Sequence, residues 1–163
     1  MTLNEIKVGE QFKFKGFTYT KLNDEGLVLL DDLKDPWYQE CCFDNVNNCY
    51  EFSLIRHYIN STKFKKYLGL LDGDFSKKNF GYKRDKLFLL SVEECEEYHN
   101  YIKLFPESSW LRSGHYLYAS NACSLYPSGA SAYGNNVFGS RAVRPALYLN
   151  PSSKLFATSD CEV

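Results

Sequence analysis

At 163 residues, with 44% hydrophobic and 24% charged side chains, the chain has the length and composition of one ordinary globular domain rather than a disordered or fibrous protein. Its net charge of −1 hides an uneven distribution, because residues 1–110 hold 15 basic and 18 acidic side chains while residues 111–153 hold Arg112, Arg141 and Arg144 and no acid. Three arginines without a lysine cluster argue against a groove that tracks nucleic-acid phosphates.

In chain order, Gln11 to Lys15 alternates Phe12 and Phe14 with polar residues, Gly16 marks a turn, and Phe17 to Thr20 resumes the period of two, which predicts a hairpin. Asn23 to Gly26 signals a second turn, and Leu27-Val28-Leu29-Leu30 suits a buried strand. Trp37 to Asn48 shows neither period and is expected to be an irregular loop. From Ser53, a capping residue, the pattern is helical with Leu54, Tyr58 and Ile59 on the inner face. A second short helix carries Phe64, Tyr67 and Leu68 and ends at Gly69. Residues 72–85 are polar and non-periodic, a surface loop by composition, and Lys86 to Leu90 is a strand candidate. Ser91-Val92-Glu93-Glu94 has the form of a capping box, which predicts a helix from Val92 to about Leu104 with Cys95, Tyr98 and Ile102 inward and Pro106 barring continuation.

No apolar run approaches the roughly eighteen residues of a membrane span. Met1-Thr2-Leu3-Asn4-Glu5 lacks the basic-then-apolar pattern of a secretory leader. The expectation is a soluble chain made in the cytoplasm, without a membrane partner, with a phage particle or a host cell left open as its destination. Cys41, Cys42, Cys49, Cys95, Cys123 and Cys161 show no Cys-x-x-Cys spacing and are expected to be reduced thiols rather than metal ligands. His57, His99 and His115 stand at no spacing to a Cys or Ser that defines a nucleophile pair. No enzymatic activity, metal or cofactor is expected.

The chemistry concentrates between Trp110-Leu111-Arg112-Ser113 and Val143-Arg144-Pro145-Ala146-Leu147. From Leu111 to Ser153 there is no Asp, Glu, Lys, Gln, Met or Trp, although these six types make up 39 of the 163 residues. About ten would be expected there by proportion, so the stretch is compositionally distinct. Within Ser113 to Ser140, 17 of 28 residues are Tyr, Ser, Gly or Asn. Antibody loops use this mixture because Tyr supplies contact area at small entropy cost while Ser, Gly and Asn adapt their hydrogen bonds. The candidate ligand-binding residues are His115, Tyr116, Tyr118, Asn121, Tyr126, Tyr133, Asn135, Asn136 and Phe138. The alternative is a Gly/Ser turn region whose tyrosines complete a strand core. Trp110, Arg112 and Arg144 sit beside apolar residues in the flanking motifs and are expected to be structural, the arginines pairing with carboxylates or backbone carbonyls.

With Leu89-Leu90-Ser91-Val92-Glu93-Glu94, Trp110 to Ser113 and Val143 to Leu147, together with Val8-Gly9-Glu10 and the Ser-x-x-Arg-x-x-x-Asn pattern of Ser53 to Asn60, the chain resembles a bacterial and phage domain-of-unknown-function family over nearly its whole length. That family looks related to the C-type-lectin-like fold of formylglycine-generating-enzyme type, used by the variable proteins of diversity-generating retroelements. The resemblance implies an α+β fold: one C-type-lectin-like domain over 1–163 with small antiparallel sheets, two main helices and a long irregular C-terminal loop region. The ligand-binding face would be displayed by a variable segment at about 113–142. Adenine mutagenesis of Asn codons never produces Glu, Lys, Gln, Met or Trp, and the missing types fit that filter, Asp being absent besides. Two positions depart from the pattern, Ser108-Ser109 standing where a second aromatic is usual and Ala142 where Gly is usual. The expected function is therefore a non-enzymatic binding module for a protein or cell-surface ligand. The alternative is a phage accessory protein that binds and inhibits a host protein such as a defence nuclease. Nucleic acid is not an expected partner, and oligomeric state is left open.

Overall fold

The computed structural model describes residues 1–32, 40–76 and 85–156. Strands β1 (Gln11–Phe14) and β2 (Phe17–Lys21) form the expected hairpin, with Phe14 opposite Phe17 across a two-residue Lys15-Gly16 turn. Both turn residues have positive φ, 54° and 83°, the geometry that follows the right-handed twist of the flanking strands and that Gly16 adopts without strain. β3 (Leu27–Leu30) pairs with β2, and β9 (Ala146–Tyr148) pairs with β3, giving the order β1-β2-β3-β9. A second sheet has the order β4-β8-β5-β6-β7, from Glu40–Cys42, Ser140–Ala142, Ser109–Gly114, Asn121–Leu125 and Gly134–Asn136. The protein is thus α+β with two small sheets and few, short helices.

Two apolar clusters explain the continuous hydrophobic run of β3. Val28 and Leu30 face one cluster, with Phe12, Phe43, Ile55, Phe64, Trp110 and Leu147, while Leu27 and Leu29 face the other, with Phe88, Leu90, Cys95, Ile102 and Leu125. A strand buried on both faces needs apolar side chains at every position, not at alternate ones. β5 is split in the same way, Trp110 entering the first cluster and Leu111 the second.

The helices are α1 (Leu54–Ile59), α2 (Thr62–Tyr67) and α3 (Val92–Glu97). In α1 Ile59 is buried and Tyr58 packs against the first cluster as expected, but Ile55, fully buried, takes the inward place expected for Leu54, which is exposed. The first turn is fixed instead by its cap: Ser53 Oγ accepts from Arg56 N at 3.1 Å, and the Leu54 N–H is held by Asp44 at 3.2 Å. The rest of the Ser-x-x-Arg-x-x-x-Asn pattern ties α1 to the chain ahead of α3. Arg56 donates twice to buried Asp85, at 2.7 and 2.9 Å, and Asn60 clamps the backbone of Lys86 and Leu87 through three hydrogen bonds that include Leu87 O at 2.8 Å.

Three further expectations need correction, and a fourth falls mostly outside the described residues. The loop expected over 37–48 contains β4, paired with β8; its strand conformation comes from that pairing and not from any local period. Residues 33–39 and most of the expected loop at 72–85 (residues 77–84) lie outside the described residues, while Phe75 and Asp85 at its margins are buried. Lys86–Leu90 is not a sheet strand: Leu87 to Leu90 are buried, but the β pairing of the run among the described residues is a single bridge, Phe88 to Ala146. Finally, α3 stops at Glu97 and continues as turns, with Ile102 buried beyond it. Glu96 and Glu97 stand at the negative end of a six-residue helix, and the Tyr98-His99-Asn100-Tyr101 run has weak helix propensity, so nothing local sustains further turns.

The start of α3 follows the capping-box expectation. Ser91 Oγ accepts from Glu94 N at 3.1 Å and Glu94 accepts from Ser91 N at 2.9 Å. Ser91→Ala should lower stability by about 1 kcal/mol through loss of this cap, read as a shift of the urea midpoint at unchanged slope. An unshifted midpoint would show that tertiary packing alone holds the helix start.

Candidate functional site

The Trp110-Leu111-Arg112-Ser113 motif is a set of four framework contacts that fix where the displayed segment begins. The Trp110 indole N–H donates to Cys41 O at 2.8 Å, and its ring meets Phe43 edge-on at 5.6 Å. Leu111 fills the second cluster. Arg112 is paired with Glu94 and donates to Leu89 O at 2.8 Å, and Ser113 Oγ accepts from Val92 N at 3.0 Å. At the other end Arg144, 3% exposed, donates to Leu30 O at 2.9 Å and to Asp31 at 2.8 Å with its guanidinium 4.0 Å over Phe105. Neither Arg112 nor Arg144 is available to a ligand as placed.

Between these ends the loop 115–120 is held from beneath by backbone contacts, which leaves its side chains free. Asn48 Nδ2 lies within hydrogen-bond distance of His115 O, Tyr118 O and Asn121 O at 3.3, 3.2 and 2.9 Å, and Asn48 N donates to Ala119 O at 2.8 Å. Val137, fully buried, donates to Ser120 O at 2.9 Å and accepts from Phe43 N at 3.0 Å. The side of Asn48 is in turn set by Asp44, whose carboxylate takes the N–H groups of Val46 and Asn47 at 3.1 Å. Burial alone would raise the Asp44 pKa, but the backbone N–H donors from Asn47, Val46, Leu54 and Asn45 outweigh it and bring it below its ordinary value.

On this base Tyr116, Leu117, Tyr118, Tyr133 and Phe138 are 87, 62, 58, 66 and 60% exposed. The His115 ring stacks with both Tyr116 and Tyr118, with centroids at 5.1 and 5.6 Å, and it packs on Gly134, where an added Cβ would stand 2.8 Å from the ring. The stack therefore abuts β7, whose two ends carry Tyr133 and Phe138. Tyr126 is half-buried, edge-on to Tyr133 at 6.0 Å, and its hydroxyl accepts from Asn135 at 2.7 Å. The Asn135 carbonyl oxygen accepts from Arg141 at 2.9 Å, so the amide orders both neighbours.

Of the nine residues singled out in the sequence, Tyr116, Tyr118, Tyr133, Asn136 and Phe138 are exposed, while His115, Asn121, Tyr126 and Asn135 are half-buried. Asn135 has its side chain engaged with Tyr126 and Arg141, and Asn136 accepts from Phe138 N at 2.9 Å, so these two brace the surface as well as line it. The structure adds Leu117 and Arg141 to the face and Asn48 to its support. Leu117 carried a signal, since three consecutive large side chains at 116–118 cannot all turn inward; Asn48 carried none.

Burial pushes the Cys41 and Cys95 thiols up to about 12 and raises Cys123, so at neutral pH these are protonated packing groups. Among the described residues no three His, Cys, Asp or Glu side chains group in a way that could hold a metal ion, and no helix is long and apolar enough to cross a membrane. No family model matches the chain, nor does any curated protein or solved structure. Fold and face together define an α+β scaffold that exposes aromatic side chains from a segment without acidic residues.

Proposed function

We propose that this protein is a non-enzymatic binding module, C-type-lectin-like in scaffold, that uses the segment at about 113–142 to bind a protein or cell-surface ligand. The observation that carries the reading is the exposure of Tyr116, Leu117, Tyr118, Tyr133 and Phe138 on a backbone fastened separately by Asn48 and Val137. Exposed large aromatics on a rigid base present contact area without a folding role, and such residues dominate binding energy at interfaces. The codon filter supports the further reading that the segment is phage-borne or bacterial and diversified. A reverse-transcriptase gene beside an imperfect repeat of codons 113–145 would be its genomic signature.

Stability and affinity should separate. Tyr118→Ser combined with Tyr133→Ser is expected to leave the melting temperature within a few degrees. The same pair should weaken binding to a protein captured on the full chain by about 2 kcal/mol or more, roughly 30-fold. Calorimetry of unfolding and titration of the purified partner measure the two effects. An unchanged affinity would sink the binding-face reading, and a collapse of the melting temperature would return both tyrosines to the fold.

A further inference from the structure

We infer that the free edge of β7 docks an extended, acidic peptide segment of the partner, which joins the five-stranded sheet as an added strand. This rests on the reading that the chain binds a protein through the 113–142 face.

The backbone register carries the inference. Val137 donates to Ser120 O and Ser124 donates to Tyr133 O, and the pairing of β6 with β7 places Ala122 opposite Asn135. Hydrogen-bonded pairs in an antiparallel ladder alternate, so they fall at 120/137, 122/135 and 124/133. The N–H and C=O of Gly134 and the N–H of Asn136 therefore point away from β6, where none of them has a hydrogen bond among the described residues. The remaining group, Asn136 O, accepts from Gly139 N at 3.0 Å and closes the turn into β8.

The four-stranded sheet treats its edges differently. β1 is bridged to Phe156 through Lys13, and β9 is flanked by bridges to Phe88 at Ala146 and to Phe75 at Leu149. Among the described residues β7 has no such cover, and it carries no lysine, proline or bulge. Its free groups stand two residues apart, the spacing at which an added strand bonds. Side chains of that strand would fall alternately on the Tyr133, Asn135 and Arg141 face and on the face of the His115 stack. Arg141 lies on the first face, bonded to Asn135, and its charge is complementary to an acidic residue in the added strand.

The test uses random linear peptides of strand length, displayed and selected on the full chain. Enriched peptides should be acidic, and N-methylation along their backbone should abolish binding at alternate positions. Asn136→Pro removes an outward donor and leaves the bonds to β6, so it should weaken the peptide about tenfold. Amide exchange read by NMR should be fast at Gly134 and Asn136 in the free chain and slow in the complex. If Asn136→Pro unfolds the chain, the methylation pattern and the exchange decide. Peptides that need Tyr118 and Tyr133 but tolerate Asn136→Pro and show no alternation would overturn strand docking while leaving the binding face intact. Selected peptides indifferent to both sets of changes would overturn both. Failure to enrich any peptide, or a dimer in which the Gly134 and Asn136 amides are already protected, would also overturn strand docking, the latter by assigning the edge to a second copy.

Discussion

Trp110→Ala should lower stability by about 3–5 kcal/mol, the cost of emptying a large buried aromatic site, and with it the melting temperature by roughly 10 °C. Trp110 is 1% exposed and joins elements distant in sequence: it stands in β5, packs on Phe43 just after β4, and donates its indole N–H to Cys41 O in β4. Truncation leaves both a cavity and a carbonyl without its donor. Trp110→Phe keeps much of the ring contact and loses only the N–H, so it should fall between the two. Thermal unfolding of the three proteins reads the order directly. A melting temperature unchanged in Trp110→Ala would place the ring outside the core and remove the framework role of the motif.

Where local pattern and tertiary environment agree, the fold was legible in the sequence. Phe12 and Phe14 alternate because β1 has one buried face, and Ser91 with Glu94 announces a helix start because both partners of the box lie within one turn. Legibility fails where a neighbour far along the chain decides. Leu87 to Leu90 are as apolar as Leu27 to Leu30, yet only the second run meets strands on both sides. β4 is the converse, three residues without a period made into a strand by β8. In α1 the cap at Ser53 and the hold of Asp44 on the Leu54 N–H set the first turn, where Ile55 and not Leu54 turns inward, while Tyr58 and Ile59 follow the apolar pattern.

The surface follows the same rule. Composition located the segment, but it could not separate Tyr118, exposed, from Tyr126, half-buried against Tyr133, because both lie in similar Ser- and Gly-rich surroundings. What separates them is Asn48, some 70 positions from Tyr118, together with Gly134, whose missing side chain makes room for His115. The arginines were more readable. A guanidinium flanked by apolar residues must find acceptors inside the protein, and both Arg112 and Arg144 do.

Arg144→Met should destabilise the protein by about 3–5 kcal/mol, comparable to Trp110→Ala but for an electrostatic reason. The side chains of Arg144 and Asp31 are 3% and 5% exposed, so the pair is shielded from water. Burial lowers the Arg144 pKa from its ordinary value while Asp31 opposes the shift, and the guanidinium stays charged. Removing it strands the Asp31 carboxylate with Gln11 and Thr20 as its donors among the described residues, at 2.7 and 2.6 Å, and frees Leu30 O at the end of β3. Methionine fills most of the volume, so the loss tests charge rather than cavity. The discriminating measurement is a double-mutant cycle with Asp31→Asn. The two changes together should cost less than the sum of the single losses, by about 1–3 kcal/mol, since the second removes the charge that the first leaves unpaired. Strict additivity in chemical denaturation would show that Arg144 acts through its packing on Phe105 and its bond to Leu30, and that the buried pair contributes nothing of its own.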